Sequence, residues 1–194
     1  MSTPRVAPAT GLQARLAVWG ARRQYGPPMV EATAVYARHP RLMRWFVAFN
    51  RQAERHGDVP LHLRELAVLQ AATMVECEFC IDIGSEYARR AGLSDAQLLA
   101  LHDAEPSGLF DDDQLAVLAF ARGMTTTPAR VDDATAEAIR SRYGDRGLIE
   151  LTYLVAWENL RARLNVGLDI GAGGFSEGKV CARPASAGEP VTAT

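Results

Sequence analysis

The chain has 194 residues, 48% of them hydrophobic, enough to bury a sizeable core in one domain. Its 21 lysines and arginines against 23 aspartates and glutamates leave a formal charge of -2, with no basic excess to hold a phosphate backbone, which argues against a nucleic-acid partner. No apolar run reaches the roughly 20 residues that span a bilayer, and Met1 to Val6 lacks a signal-peptide core, so the expectation is a cytoplasmic protein with no membrane partner.

Apolar residues recur at three- and four-residue spacing and no segment alternates over strand length, which predicts an all-α protein built as a single multi-helix bundle. Leu12, Leu16, Trp19 and Ala21 mark a first helix ended around Gly26-Pro27-Pro28. Val30 to Ala37 forms a short second one, interrupted by Pro40. Leu42, Trp45, Phe46 and Phe49 define the third, which stops near Gly57. Pro60 precedes a fourth, in which Leu63, Leu66, Ala67, Leu69 and Gln70 run up to a pair of cysteines. A cysteine-bearing helix continues through Ile83, Tyr87 and Ala88 to a cap at Gly92. Ser94 with Gln97, and Asp111 with Gln114, have the spacing of capping boxes for the next two helices. Asp132 or Asp133 caps a helix through Ile139 to Gly144, and a long last helix runs from about Gly147 to Ile170. The helical domain is therefore placed at 12–170, and 171–194, rich in Gly, Ser, Pro, Ala and Thr, is expected to be a flexible, disordered tail. Trp19, Trp45 and Trp157 lie on apolar helical faces and are read as core, or else interface, residues. The Gly171-Ala172-Gly173-Gly174 run follows a helix and opens none, so it is no phosphate cradle.

Cys77-Glu78-Phe79-Cys80 carries the chemistry. Cysteines at i and i+3 share a helical face and can close a reversible disulfide, so a redox dithiol is the first reading. A structural zinc site would need further ligands from a second Cys-x-x-Cys or a His-x(3-5)-His, and neither is present. Haem attachment would need histidine where Ile81 stands. Two packed thiols remain the bland reading. In a reducing compartment a Cys-x-x-Cys is more often catalytic or metal-binding than a staple, and Cys181 is read as a bystander.

Glu65, twelve residues before Cys77, with Cys77-Glu78-Phe79-Cys80-Ile81-Asp82 and Ala91-Gly92-Leu93-Ser94, resembles the carboxymuconolactone decarboxylase family, and within it the alkylhydroperoxidase D branch. The resemblance is carried by about Leu61 to Leu101. It implies an all-α fold of the alkylhydroperoxidase D-like type, a trimeric or higher homo-oligomer, and thiol-dependent reduction of hydroperoxides or disulfide exchange with a partner. By position, it implies that Cys80 attacks peroxide and passes through a sulfenic acid, that Cys77 resolves it as a disulfide, and that Glu65 belongs to the proton relay. Nothing in the sequence binds NAD or flavin, so no cofactor is expected and re-reduction needs an outside dithiol protein or small thiol. A lactone-carboxylate decarboxylase, and a non-catalytic helical oligomer keeping the dithiol as a redox latch, are the alternatives.

The family's histidine falls on Gly84, which has no side chain to move a proton. His39, His56, His62 and His102 are the substitutes available, and His62, one turn before Glu65, is the best placed. The helix N-terminus favours a thiolate at the pair, whereas Glu76, Glu78, Asp82 and Glu86 crowd the same turns and oppose it. An arginine from another helix would tip the balance, and Arg161 and Arg163, beside Glu158, Asn159 and Asn165, are candidates. One unbroken helix would hold Glu65 and Cys77 about 18 Å apart along its axis. A shared relay therefore requires a break near Val75-Glu76, or Glu65 from a neighbouring subunit.

Overall fold

A computed structural model describes residues 3–53 and 57–182, which form nine α-helices and, among the described residues, no strand. They are α1 (Leu12–Tyr25), α2 (Val30–Tyr36), α3 (Pro40–Ala53), α4 (Leu61–Met74), α5 (Glu78–Arg90), α6 (Asp95–Leu99), α7 (Ala104–Ser107), α8 (Asp112–Thr125) and α9 (Asp133–Leu168). The all-α expectation holds, and no helix among the described residues is long and apolar enough to cross a membrane.

Helix α4 is the axis of the bundle and packs against α5, α8 and α9. It is buried on nearly all sides from Leu63 to Thr73, as expected of a helix apolar around its circumference. On one side Leu66, Leu69 and Ala72 join Cys77, Cys80, Ile81 and Leu118. On another Leu63, Ala67 and Ala71 join Val117, Phe120, Leu151 and Val155. The buried Arg64 is matched by Glu150 of α9 at 2.8 Å and donates to the Ala53 carbonyl. Both capping boxes form, at Ser94 with Gln97 and at Asp111 with Gln114, and Asp132 caps α9 through the Thr135 amide. Gly144, at φ 69°, kinks α9 where the sequence places a helix end.

Two expectations change. Trp157 is buried, but Trp19 and Trp45 are 64% and 71% exposed, on outward stripes formed by Leu12, Leu16 and Trp19 of α1 and by Leu42, Trp45 and Phe49 of α3. The amphipathic pattern is correct, but no element among the described residues covers those faces. The second change concerns the segment after 170. Residues 171–182 are docked on α5: the amides of Gly174, Phe175 and Ser176 donate to the Asp82 carboxylate, and Ala182 N donates to Ser85 Oγ. A carboxylate on a glycine-rich loop holds this stretch where composition alone suggests freedom. The rest of the expected tail lies outside the described residues.

Candidate functional site

Helix α4 ends at Met74, Val75 caps it, and Glu76 takes a left-handed conformation at φ 57°. Cys77 then caps α5. The chain turns where a shared relay required it to, so Glu65 on α4 and Cys80 on α5 both line one cavity of about 360 Å³. Cys77 and Cys80 are joined by a disulfide, with Cα atoms 5.2 Å apart. Both are buried, but only Cys80 contributes to the cavity wall. Cys77 Sγ instead accepts the Cys80 amide at 3.2 Å, as the N-cap of α5. The remaining wall is mostly apolar, with Phe46 and Val68 among its residues.

The last helix brings polar groups to the sulfurs. Asn165 Nδ2 donates to Cys80 Sγ at 3.3 Å and approaches Cys77 Sγ at 3.8 Å, while Tyr36 OH of α2 donates to Asn165 Oδ1 at 2.6 Å. Arg161, one turn earlier, also lines the cavity, pairs with Glu158, and donates to Asn50 Oδ1 at 2.9 Å. Trp157 Nε1 donates to the same oxygen. Glu158 is wholly buried, and burial pushes its carboxyl above the ordinary range against the opposing pull of Arg161. Burial also raises the Tyr36 phenol, with the charge of Arg161 working against it and that of Glu158 adding to it.

Of the two arginines expected near the dithiol, Arg161 reaches the cavity, whereas Arg163 is exposed and bonds Asn159. The carboxylates expected to oppose a thiolate are largely diverted. Glu76 and Glu78 point to solvent, and Asp82 is taken up by the 174–176 amides. Burial would raise the Glu86 carboxyl, but hydrogen bonds from Lys179 and Arg90 hold it below its ordinary value. His39, His62 and His102 do not line the cavity, and His56 lies outside the described residues. At Gly84 a Cβ would stand 3.2 Å from Leu69 Cδ1, so α5 packs there closely on a fully buried leucine of α4 and a side chain would need that leucine to shift by a few tenths of an ångström. Cys181 is free and partly buried, with its Sγ 3.4 Å from Ser85 Oγ. Tyr36 and Asn50 escaped the sequence reading. The available signal was the row Glu158, Arg161 and Asn165 at i, i+3 and i+7, polar groups on one face of α9 that would need polar partners from other helices if buried.

A buried Cys-x-x-Cys at a helix N-terminus, opening on an apolar cavity with a carboxylate in its wall, is set here in an all-α fold of the alkylhydroperoxidase D-like kind. The carboxymuconolactone decarboxylase family profile matches residues 40–123. The uncharacterized protein YnjA of Escherichia coli (strain K12) is 36% identical over 160 residues, spanning 81% of this chain and 86% of that one. The chain belongs to the carboxymuconolactone decarboxylase family. Among solved structures, the apo debrominase Bmp8 has a TM-score of 0.71 at 20% identity, covering 87% of this chain and 91% of its own. The alkylhydroperoxidase AhpD core of an uncharacterized peroxidase-related protein from Ralstonia eutropha JMP134 gives 0.71 at 17% identity, covering 87% and 92%. At these identities the likeness is one of fold, and the family it accompanies includes enzymes.

Proposed function

We propose that the protein is a thiol-dependent oxidoreductase that reduces hydroperoxides through Cys77 and Cys80. The carrying observation is the division of labour within the pair: Cys80 Sγ meets the cavity while Cys77 Sγ sits on the helix cap. In the reduced protein the Cys80 thiolate attacks the outer peroxide oxygen. An S–O bond forms, the O–O bond breaks, and the alkoxide leaves as the alcohol with a proton delivered by way of Glu65. Cys77 thiolate then attacks the Cys80 sulfur, the S–O bond breaks, and hydroxide departs as water, leaving the disulfide.

Re-reduction takes two electrons from an outside dithiol protein or small thiol. The donor thiolate reaches Cys80 Sγ through the cavity, and Cys77 is the better leaving group because the Cys80 amide and the α5 N-terminus receive its charge. A reducing compartment such as the cytoplasm suits this cycle. The uncovered stripes of α1 and α3 support a homo-oligomer. Residues 3–53 carry eight arginines and one glutamate, so that layer complements the acidic remainder of a second copy.

Stopped-flow mixing of the reduced protein with hydrogen peroxide and with an alkyl hydroperoxide tests the proposal. The apolar cavity favours the alkyl substrate, so thiol loss should be faster with it. No thiol loss within minutes overturns the peroxidase reading. A midpoint potential for the pair without turnover would leave a redox latch, and turnover of a lactone carboxylate surviving Cys77→Ser with Cys80→Ser would indicate a decarboxylase.

A further inference from the structure

We infer that Asn165 is the group that holds Cys80 as a thiolate, and that Tyr36 positions it, so that a tyrosine–asparagine pair from α2 and α9 serves the sulfur from across the cavity while position 84 is bare. The inference rests on the dithiol reading above and adds to it two residues that the cysteine motif does not contain.

The geometry is directional. Asn165 is 4% exposed, and its two amide ends face different partners: Nδ2 the Cys80 sulfur at 3.3 Å, and Oδ1 the Tyr36 hydroxyl at 2.6 Å. Rotating the amide by half a turn would aim a lone pair at the sulfur and the NH2 at the phenol oxygen. A neutral phenol could serve either orientation, but a thiolate sulfur only accepts, so the reduced pair requires the orientation seen, with Nδ2 toward sulfur and Oδ1 toward the phenol. Tyr36 is kept protonated, and its O–H donates to Oδ1, which leaves Nδ2 facing sulfur. Against a disulfide sulfur this contact is weak. Once the bond is reduced and Cys80 carries charge, the contact becomes a charge-assisted hydrogen bond, roughly twice as strong as a neutral one. The interaction thus favours the reactive state over the resting one.

The titratable or charged side chains lining the same cavity are Tyr25 of α1, Tyr36 of α2, Arg51 of α3, Glu65 of α4, Tyr87 of α5 and Arg161 of α9. Arg161 is directed onto Glu158 and Asn50 Oδ1. Cys77, not Cys80, takes the helix cap. Asn165 is therefore the neutral donor placed directly on the attacking sulfur.

The test needs no peroxide. Protein carrying Cys77→Ser and Cys181→Ser has Cys80 as its single thiol, and its iodoacetamide alkylation rate is followed from about pH 5 to about pH 10. The parent is expected to titrate below the free-thiol value of about 8.5. Asn165→Leu should move the midpoint up, lowering the rate at neutral pH about tenfold. Asn165→Asp keeps the side-chain shape and the Tyr36 contact but sets a carboxylate against the sulfur, so its loss should be larger. Tyr36→Phe, which frees the amide to turn, should cost about threefold. All variants should regain the parent rate to within about twofold above the thiol's pKa, where every sulfur is charged. Superimposable profiles, a lowered plateau with an unmoved midpoint, or a parent that titrates at the free-thiol value each overturn the inference. Shifted midpoints in a protein that fails the peroxide test would uphold the pair and refute the substrate, so the two failures are distinct.

Discussion

Asp82→Ala tests how far the segment after α9 belongs to the folded unit. The Asp82 side chain is buried on α5 and accepts the amides of Gly174, Phe175 and Ser176 at 2.7, 3.0 and 2.7 Å, while Ser176 Oγ donates to the Asp82 carbonyl. Hydrogen bonds to a charged acceptor contribute about 1.5 to 3 kcal/mol each, so three set a ceiling near 9 kcal/mol. The full amount is not lost, because without the carboxylate the segment can lift and give its amides to water. The cost is then limited to its docking, about 3 to 5 kcal/mol. Asp82→Asn keeps one acceptor oxygen but turns an NH2 toward the remaining donors, and about 2 kcal/mol is expected. Urea unfolding gives the stability change, and hydrogen exchange at 174–176 gives its location. Cys181 adds a chemical readout, because lifting the segment takes its thiol off Ser85 and should speed its alkylation. Unchanged protection at those three amides, with a stability change below about 1 kcal/mol, would refute the reasoning, since neither the bonds nor the docking they support would then matter.

Three further outcomes are expected. Glu158 has a folded-state pKa above its ordinary 4.5, so the native protein retains a proton that the unfolded chain releases, and stability should fall as pH rises above that value. Urea midpoints across mildly acidic to neutral pH measure the slope, and Glu158→Gln should flatten it; a slope that persists in the variant belongs to another group. Glu65→Gln should slow peroxide-driven thiol oxidation by about a hundredfold while leaving Cys80 alkylation within about twofold, because the carboxylate is assigned to the proton and not to the thiolate. For the homo-oligomer proposed above, Leu16→Arg with Trp45→Arg should preserve helix content by circular dichroism and reduce the mass seen by light scattering to that of one chain; a parent already at that mass would refute the oligomer, and an unaltered higher mass would refute the α1 and α3 stripes as its contact.

The sequence was most informative where local chemistry determines structure. Capping residues at Ser94, Asp111 and Asp132 state their own helix starts, because a side-chain acceptor three residues before an amide is a local device. Gly144 similarly announces a positive φ. Periodicity also identified which side chains of α1 and α3 form stripes, but a stripe does not name what covers it, and Trp19 and Trp45 turned out to face outward. Composition misjudged residues 171–182 for a related reason. Glycine lowers the cost of bringing backbone amides close to a carboxylate as well as the cost of disorder, and only the position of Asp82 decides which applies.

The break at Glu76 was legible in a different way. No glycine marks it, and a non-glycine residue at φ 57° is not predicted by propensity. It is one of the two arrangements a shared relay permits, Glu65 from a neighbouring subunit being the other, because a carboxylate twelve residues from a cysteine cannot share its proton along a straight helix. That logic did not extend to Tyr36 and Asn165, which stand 129 residues apart and meet only because α2 and α9 both border the α5 N-terminus. A family motif records the groups carried by one helix and its neighbour in the chain. Where one of those groups is absent, as at Gly84, the proposed electrostatic task falls to an element that the fold brings to the sulfur, and in this chain the amide that donates to Cys80 Sγ, Asn165 Nδ2, comes from outside the motif.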